Sequence, residues 1–265
     1  GDKDTYKMMS LVKDRRTFDM EQVVSKKRVR KGELSKNLIT YYDPKSPAAE
    51  AFRTLRTNIG FASIDNELKT IVFTSPEPTD GKSTVASNFA IAMAKVNKKV
   101  LLMECDLRKP RVHRNFGIGN DIGLTHILAD MVFDDLSLLN IIKAIPEVEN
   151  LFVLTAGFTP PNPTEMLSSK KFKNLLDQIK KHFDIIVIDT PPVAQLTDAA
   201  IISKFADGVL LVLASGETSI QGALSAKQAL TNVKANILGV VLTKINKKSG
   251  SYYNYYNYEY YTEEE

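Results

Sequence analysis

Six short aliphatic runs punctuate the chain: TIVFTS (70–75), KVLLMEC (99–105), NLFVLTA (150–156), DIIVID (184–189), GVLLVLA (208–214) and ILGVVLT (237–243). They show no polar alternation, which marks strands buried on both faces. Between them lie stretches with helical spacing, among them STVASNFAIAMAKV, TEMLSSKKFKNLLDQIKKH, TDAAIISKF and IQGALSAKQALTNV. Upstream, PAAEAFRTLRTNIGF puts Phe52, Leu55 and Ile59 on one helical face, and Ser46 followed by Pro47 suits its entry. This alternation predicts an α/β fold, a mostly parallel central sheet with helices on both faces. The 265 residues fit one large domain. Ligands of such sheets bind beyond the carboxyl ends of the strands, so chemistry is sought there.

The hydrophobic fraction of 43% and charged fraction of 25% are those of an ordinary globular protein. No apolar run reaches the ~18 residues of a membrane span, and nothing reads as a signal peptide. Cys105 is the only cysteine, which excludes an internal disulfide, and His113, His126 and His182 show no metal-ligand spacing with it. A cytoplasmic protein without structural zinc is expected. The net charge of +4 is unevenly spread: KKRVRK at 26–31 is nearly all basic, whereas the chain closes on Glu263, Glu264 and Glu265. Residues 1–40 therefore read as a basic leader, 41–248 as the domain and 249–265 as a flexible tail. The leader suits anionic lipid, nucleic acid or an acidic partner, and equally a solvated arm.

The first strand runs directly into SPEPTDGKST and then a helix, the context a phosphate-binding loop requires. Thr79, Asp80, Gly81, Lys82, Ser83 and Thr84 are its candidate nucleotide-binding residues. Gly81 admits close backbone approach to a phosphate, Lys82 brings a cation, Ser83 offers a hydroxyl to Mg²⁺, and the helix N-terminus favours anions. Pro76 stands where GxxxxGK[ST] has its first glycine, so an incidental turn is the competing reading. At the end of DIIVID, Asp189 is costly to bury without a positive partner. It suits Mg²⁺, as a Walker B aspartate does, or else caps the next turn. LLMECDLRKP ends its strand with Glu104, and Asp106 and Arg108 follow at spacing two, as acid and base of a site or as a surface ion pair.

Two further patterns remain. Glu50, Arg53 and Arg56 recur every third residue as a polar row beside an apolar face, either a solvated helix surface or a contact. Tyr252, Tyr253, Tyr255, Tyr256, Tyr258, Tyr260 and Tyr261 crowd the last fifteen residues, SYYNYYNYEYYTEEE, with no aliphatic residue to build a core. Tyrosines that cannot pack read as substrates on an accessible segment, or as low-complexity sequence that adheres to itself.

With those residues in hand, the chain resembles the bacterial tyrosine kinases of capsule and exopolysaccharide synthesis, in particular the soluble kind with a separate membrane adaptor. The likeness spans about residues 40–265. It rests on ITYYDPKSPAAEAFRTLRTNI, the SxxPxxGKS loop, the acidic pair with LRKP, TPPNPTE at 159–165, DTPP, and the tyrosine tail. It implies a P-loop fold of the MinD/ParA type, ATP and Mg²⁺ as cofactors, and autophosphorylation of the tail in trans. Lys82, Glu104, Asp106 and Asp189 would be catalytic, with Ser83, Asp106 and Asp189 about Mg²⁺. Glu104 matches the family's first aspartate, the base that accepts the tyrosyl proton. Thr79 replaces a usual loop glycine, and Thr243 with Lys244 stands where relatives carry Asn and Arg near the adenine. The ExxRxxR row of Glu50, Arg53 and Arg56 would join subunits into a ring, with an octamer as its candidate stoichiometry. Other implied partners are the cytoplasmic segment of a transmembrane polysaccharide-export adaptor that recruits the kinase to the membrane's inner face, a cognate phosphotyrosine phosphatase and protein substrates; no nucleic acid is expected. The competing function is a partner-stimulated ATPase like MinD or ParA that phosphorylates nothing. Such ATPases carry a signature lysine five positions before the loop lysine, where this chain has Glu77, and they lack a tyrosine tail.

Overall fold

The computed structural model describes residues 32–63, 67–130 and 141–245. The basic run 26–31 and the tyrosine cluster 252–261 lie outside the described residues. The chain opens with a short helix α1 (Ile39–Tyr42) and a long one, α2 (Pro47–Ala62). Strand β1 (Thr70–Thr74), helix α3 (Lys82–Ala94), β2 (Val100–Glu104), α4 (Val112–Asn115) and α5 (Leu124–Leu128) follow. Next come β3 (Lys143–Ala144), β4 (Leu151–Leu154), α6 (Pro163–Ser168), α7 (Lys170–Ile179) and β5 (Ile185–Asp189). The domain closes with α8 (Asp198–Ser203), β6 (Gly208–Ala214), α9 (Ile220–Asn232) and β7 (Ile237–Thr243).

The strands form one sheet in the order β3-β4-β2-β5-β1-β6-β7. All pairs are parallel except the short edge pair of β3 with β4. Side chains alternate across it. Ile71, Phe73, Leu102 and Val187 face one core with α2 and α3, while Val72, Leu101, Met103 and Ile188 face another with α6 to α9. Helix α3 is buried almost all round, because the sheet lies on one side and α1 and α2 on the other. Its apolar run has little amphipathic contrast, as a helix enclosed on both sides requires.

The six long strands lie where the aliphatic runs put them. Two boundaries differ from the sequence reading. Leu34, Leu38 and Thr40, assigned to the leader, are buried in the domain, and Thr40 donates from its N–H and its hydroxyl to Asn88 Oδ1 of α3. Two leucines four residues apart are too little pattern to reveal that packing. The stretch 164–182, read as one helix, is two. Ser169 is extended there (φ −70°, ψ 152°), and its hydroxyl accepts from Phe172 N–H at 3.1 Å, so it caps α7 anew. The entry of α2 is as expected: Ser46 accepts from Ala49 N–H and Pro47 takes the first helical position.

Because β2, β5 and β1 are neighbours, their carboxyl ends lie side by side. Glu104 and Asp189 pair in register at the ends of β2 and β5, and β1 feeds the loop at 75–81 beside them. The topology therefore gathers residues 80–83, 104–106 and 189 from three separate parts of the sequence.

Candidate active site

The loop turns into α3 at Gly81, whose φ of 94° is left-handed and favours glycine. Asp80 anchors it from below. Its carboxylate accepts from Glu77 N–H at 2.8 Å and from the Thr218 hydroxyl at 2.8 Å, and Thr243 Oγ1 donates to its carbonyl at 2.7 Å. The loop is thus fixed to the ends of β6 and β7, and Thr243 lies against it. Thr79 is exposed and Thr84 half-buried, one on the loop and one in the first turn of α3. The Lys244 ammonium is paired with Glu217 at 2.5 Å. Glu77 accepts from the Gln195 amide at 2.7 Å, so an anionic side chain stands at the position of the MinD-type signature lysine.

Lys82, Ser83, Asp106 and Asp189 come together. Lys82 Nζ lies 3.1 Å from Asp106 Oδ2 and 3.8 Å from Asp189 Oδ1. Ser83 Oγ donates to Asp189 Oδ2 at 2.7 Å. All four are buried. Burial pushes the Asp189 carboxyl up to about 7; Lys82 and the Ser83 hydrogen bond pull it down, while Asp106 and Glu104 push it further up. Beside them the Cys105 thiol is also held well above its usual range, first by burial and then by Asp189, Glu104 and Asp106, so it stays an inert thiol.

Mg²⁺ is tested by the donors present. Asp189 Oδ1 is buried without a hydrogen-bond partner, next to a hydroxyl and a second carboxylate, which is an arrangement a hard cation satisfies. Among the described residues no three His, Cys, Asp or Glu side chains form a metal cage. Mg²⁺ takes one or two carboxylates and completes its shell with phosphate and water.

Glu104 sits differently from the expected base. It is wholly buried, and its two oxygens accept from Val112 N–H at 2.5 Å and Ala156 N–H at 3.3 Å. His113 Nδ1 lies 3.5 Å away. A proton acceptor must present a lone pair to its substrate, whereas these oxygens face main chain.

Arg108 pairs across the sheet end with Asp198 rather than with its sequence neighbour Asp106. Its Nε lies 2.8 Å from the fully buried Asp198, whose other oxygen accepts from Thr164 at 2.6 Å. The sequence reading missed Asp198 and Thr164, since an acidic residue in the first turn of a helix looks like a cap. Of the polar row, Glu50 and Arg53 pair on the surface, and Arg53 also donates to the Pro44 carbonyl at 2.7 Å. Arg56 turns inward to the Ala92 carbonyl at 2.8 Å, at the carboxyl end of α3.

A phosphate loop between a central strand and a buried helix, facing an aspartate at the end of the adjacent strand, is the architecture of a P-loop fold of the MinD/ParA type. The AAA domain family matches residues 68–241. Tyrosine-protein kinase YwqD of Bacillus subtilis is 42% identical over 223 residues, covering 84% of this chain and 92% of its own. The kinase domain of Escherichia coli tyrosine kinase ETK superimposes with a TM-score of 0.75 at 29% identity, over 86% of this chain and 88% of that one. The cell division ATPase MinD of Pyrococcus furiosus shares the fold, with a TM-score of 0.57 at 24% identity over 68% of this chain and 74% of that one. The chain belongs to the bacterial tyrosine-protein kinases.

Proposed function

We propose that this kinase uses ATP with Mg²⁺ to phosphorylate the tyrosine cluster 252–261 of a neighbouring copy, and that it thereby regulates capsule or exopolysaccharide synthesis and export. The observation that carries the reading is the meeting of Lys82, Ser83, Asp106 and Asp189 beside the loop, in a chain that also ends in seven tyrosines without a core. The loop N–H groups and Lys82 would hold the β and γ phosphates. Ser83, Asp106 and Asp189 would hold Mg²⁺, which neutralises charge on the transferring phosphoryl group. Transfer of this kind asks mainly for alignment and charge neutralisation, so the absence of a free Glu104 carboxylate at the mouth is tolerable. Glu104 is a positioning residue in this account: it fixes the segments that begin at Val112 and Ala156.

Glu50 and Arg53, exposed on α2, would meet a neighbouring subunit in a ring, an octamer in the family's manner. Arg56 would support that surface from within. The cytoplasmic segment of a transmembrane adaptor would bring the kinase to the membrane's inner face. A phosphotyrosine phosphatase would reverse the reaction.

The test is to incubate the purified protein with Mg²⁺ and radiolabelled ATP, with and without residues 249–265, and to map the label. Label on tail tyrosines supports the reading. ATP hydrolysis with no labelled protein would mean the MinD/ParA-like alternative, against which Glu77 already stands at the signature position.

A further inference from the structure

The segment after Asp106 carries more positive charge than the site engages. Residues 107–115 read LRKPRVHRN. Arg108 is held by Asp198 and Thr164. Lys109, Arg111 and Arg114 are exposed, and none has an ion-pair or hydrogen-bond partner for its cation among the described residues. Three cations along one short segment, none of them ion-paired, are a concentrated positive field.

Their backbone is fixed at the mouth of the site. Lys109 N–H donates to Asp106 Oδ1 at 3.0 Å, Val112 N–H to Glu104, and the Asn115 amide to Ser87 Oγ of α3 at 3.0 Å. The segment is therefore tied to the acidic pair at one end and to the helix that follows the phosphate loop at the other. The three cations are thus carried on a segment whose backbone begins at Asp106 and ends against α3.

The same sequence supplies a complementary peptide. SYYNYYNYEYYTEEE has Glu259, Glu263, Glu264 and Glu265 and no Lys or Arg. We propose that Lys109, Arg111 and Arg114 form a substrate-recognition rim that selects tyrosines followed by acidic residues, its occupant being the tail of a second copy of this chain. The proposal rests on the kinase reading and adds the substrate class. Phenol rings supply the acceptor, and the glutamates supply the address. Exposed charge pairs are individually weak and are screened by salt, so the rim acts on capture rather than on the transfer step.

The experiment uses the full-length protein with Mg²⁺ and ATP and two peptides: SYYNYYNYEYYTEEE and the same sequence with its four glutamates replaced by glutamine. The expected result is a KM roughly tenfold higher for the glutamine peptide at equal kcat, with the gap narrowing as salt is raised. In the Lys109→Glu, Arg111→Glu, Arg114→Glu variant, shown to be folded by unchanged Mg·ATP binding, the two peptides should no longer be ranked in that order. Equal KM values for the two peptides in the wild type, or a ranking that survives in the variant, would overturn the inference. So would a variant that loses only its binding to phosphatidylserine vesicles, which would make the rim a lipid surface. A wild type that labels neither peptide nor its own tail would instead remove the kinase reading beneath it.

Discussion

Ser83 Oγ donates to Asp189 Oδ2 across 2.7 Å, which ties the phosphate loop to the end of β5 over 106 residues of sequence. The other oxygen of Asp189 is buried and accepts no hydrogen bond, with Lys82 Nζ 3.8 Å away. One carboxylate thus holds the loop in place and keeps a lone pair for a cation. Asp189→Asn should leave the fold intact and lower phosphotransfer at least a hundredfold, because the amide places an N–H₂ or a neutral oxygen where charge is needed. Single-turnover kinetics with saturating Mg·ATP measure this.

The same carboxyl makes stability depend on pH. Its value is raised from 3.8 to about 7, chiefly by burial. In nucleotide-free protein the folded state keeps a proton that the unfolded chain releases above ~pH 4, so this stabilising contribution is full below that pH and is lost as pH rises through about 7. Thermal unfolding between about pH 5 and pH 8 should show a loss of a few kcal/mol that Asp189→Asn flattens. A slope unchanged in the variant would show that other groups set it.

Lys82→Met should abolish tail labelling. Because Lys82 is buried beside Asp106 and Asp189, it should also cost stability at neutral pH, by up to ~3 kcal/mol. The loss should shrink in acid, where Asp189 is protonated. Denaturant melts at neutral and acidic pH separate this from the catalytic effect.

For Glu104 the two roles predict different pH–rate profiles. As a positioning residue, Glu104→Gln loses one of two main-chain hydrogen bonds, lowers stability by about 1–3 kcal/mol, and keeps the wild-type profile shape. Loss of the acidic limb of the profile, with stability unchanged, would restore Glu104 as the base.

The strands, the phosphate loop and the Asp106 and Asp189 carboxylates were legible because each depends on local pattern: aliphatic runs, a Gly-Lys-Ser turn after a strand, an acid at a strand's end. Contacts between distant segments were not. Arg108 stands two residues from Asp106 yet pairs with Asp198, ninety residues on, because the sheet order puts those strand ends together. Thr218 and Thr243 hold Asp80 through hydroxyls that any threonine carries. Nor does sequence tell that the Glu104 oxygens accept from the main chain at Val112 and Ala156. The Ser169 break was visible only as a serine pair, which a helix interior also accepts.

Within the polar row the structure separates two kinds of residue. Arg53 and Glu50 form an exposed pair worth at most ~1 kcal/mol to the subunit, whereas Arg56 bonds the end of α3. Arg53→Glu should therefore reduce the mass of the assembly, read by light scattering after size exclusion, while lowering stability only slightly, by about 1 kcal/mol. Arg56→Ala should lower both. An Arg53→Glu assembly of wild-type mass would place the ring contact elsewhere.

The most direct test of transfer between subunits mixes two chains. One is Lys82→Met with its tail intact; the other is active and ends at residue 248. Neither labels itself on the tail, the first for want of the loop cation and the second for want of tyrosines. With Mg²⁺ and radiolabelled ATP, the account predicts label on Tyr252 to Tyr261 of the Lys82→Met chain. An unlabelled tail, under conditions where the wild type labels its own, would contradict it.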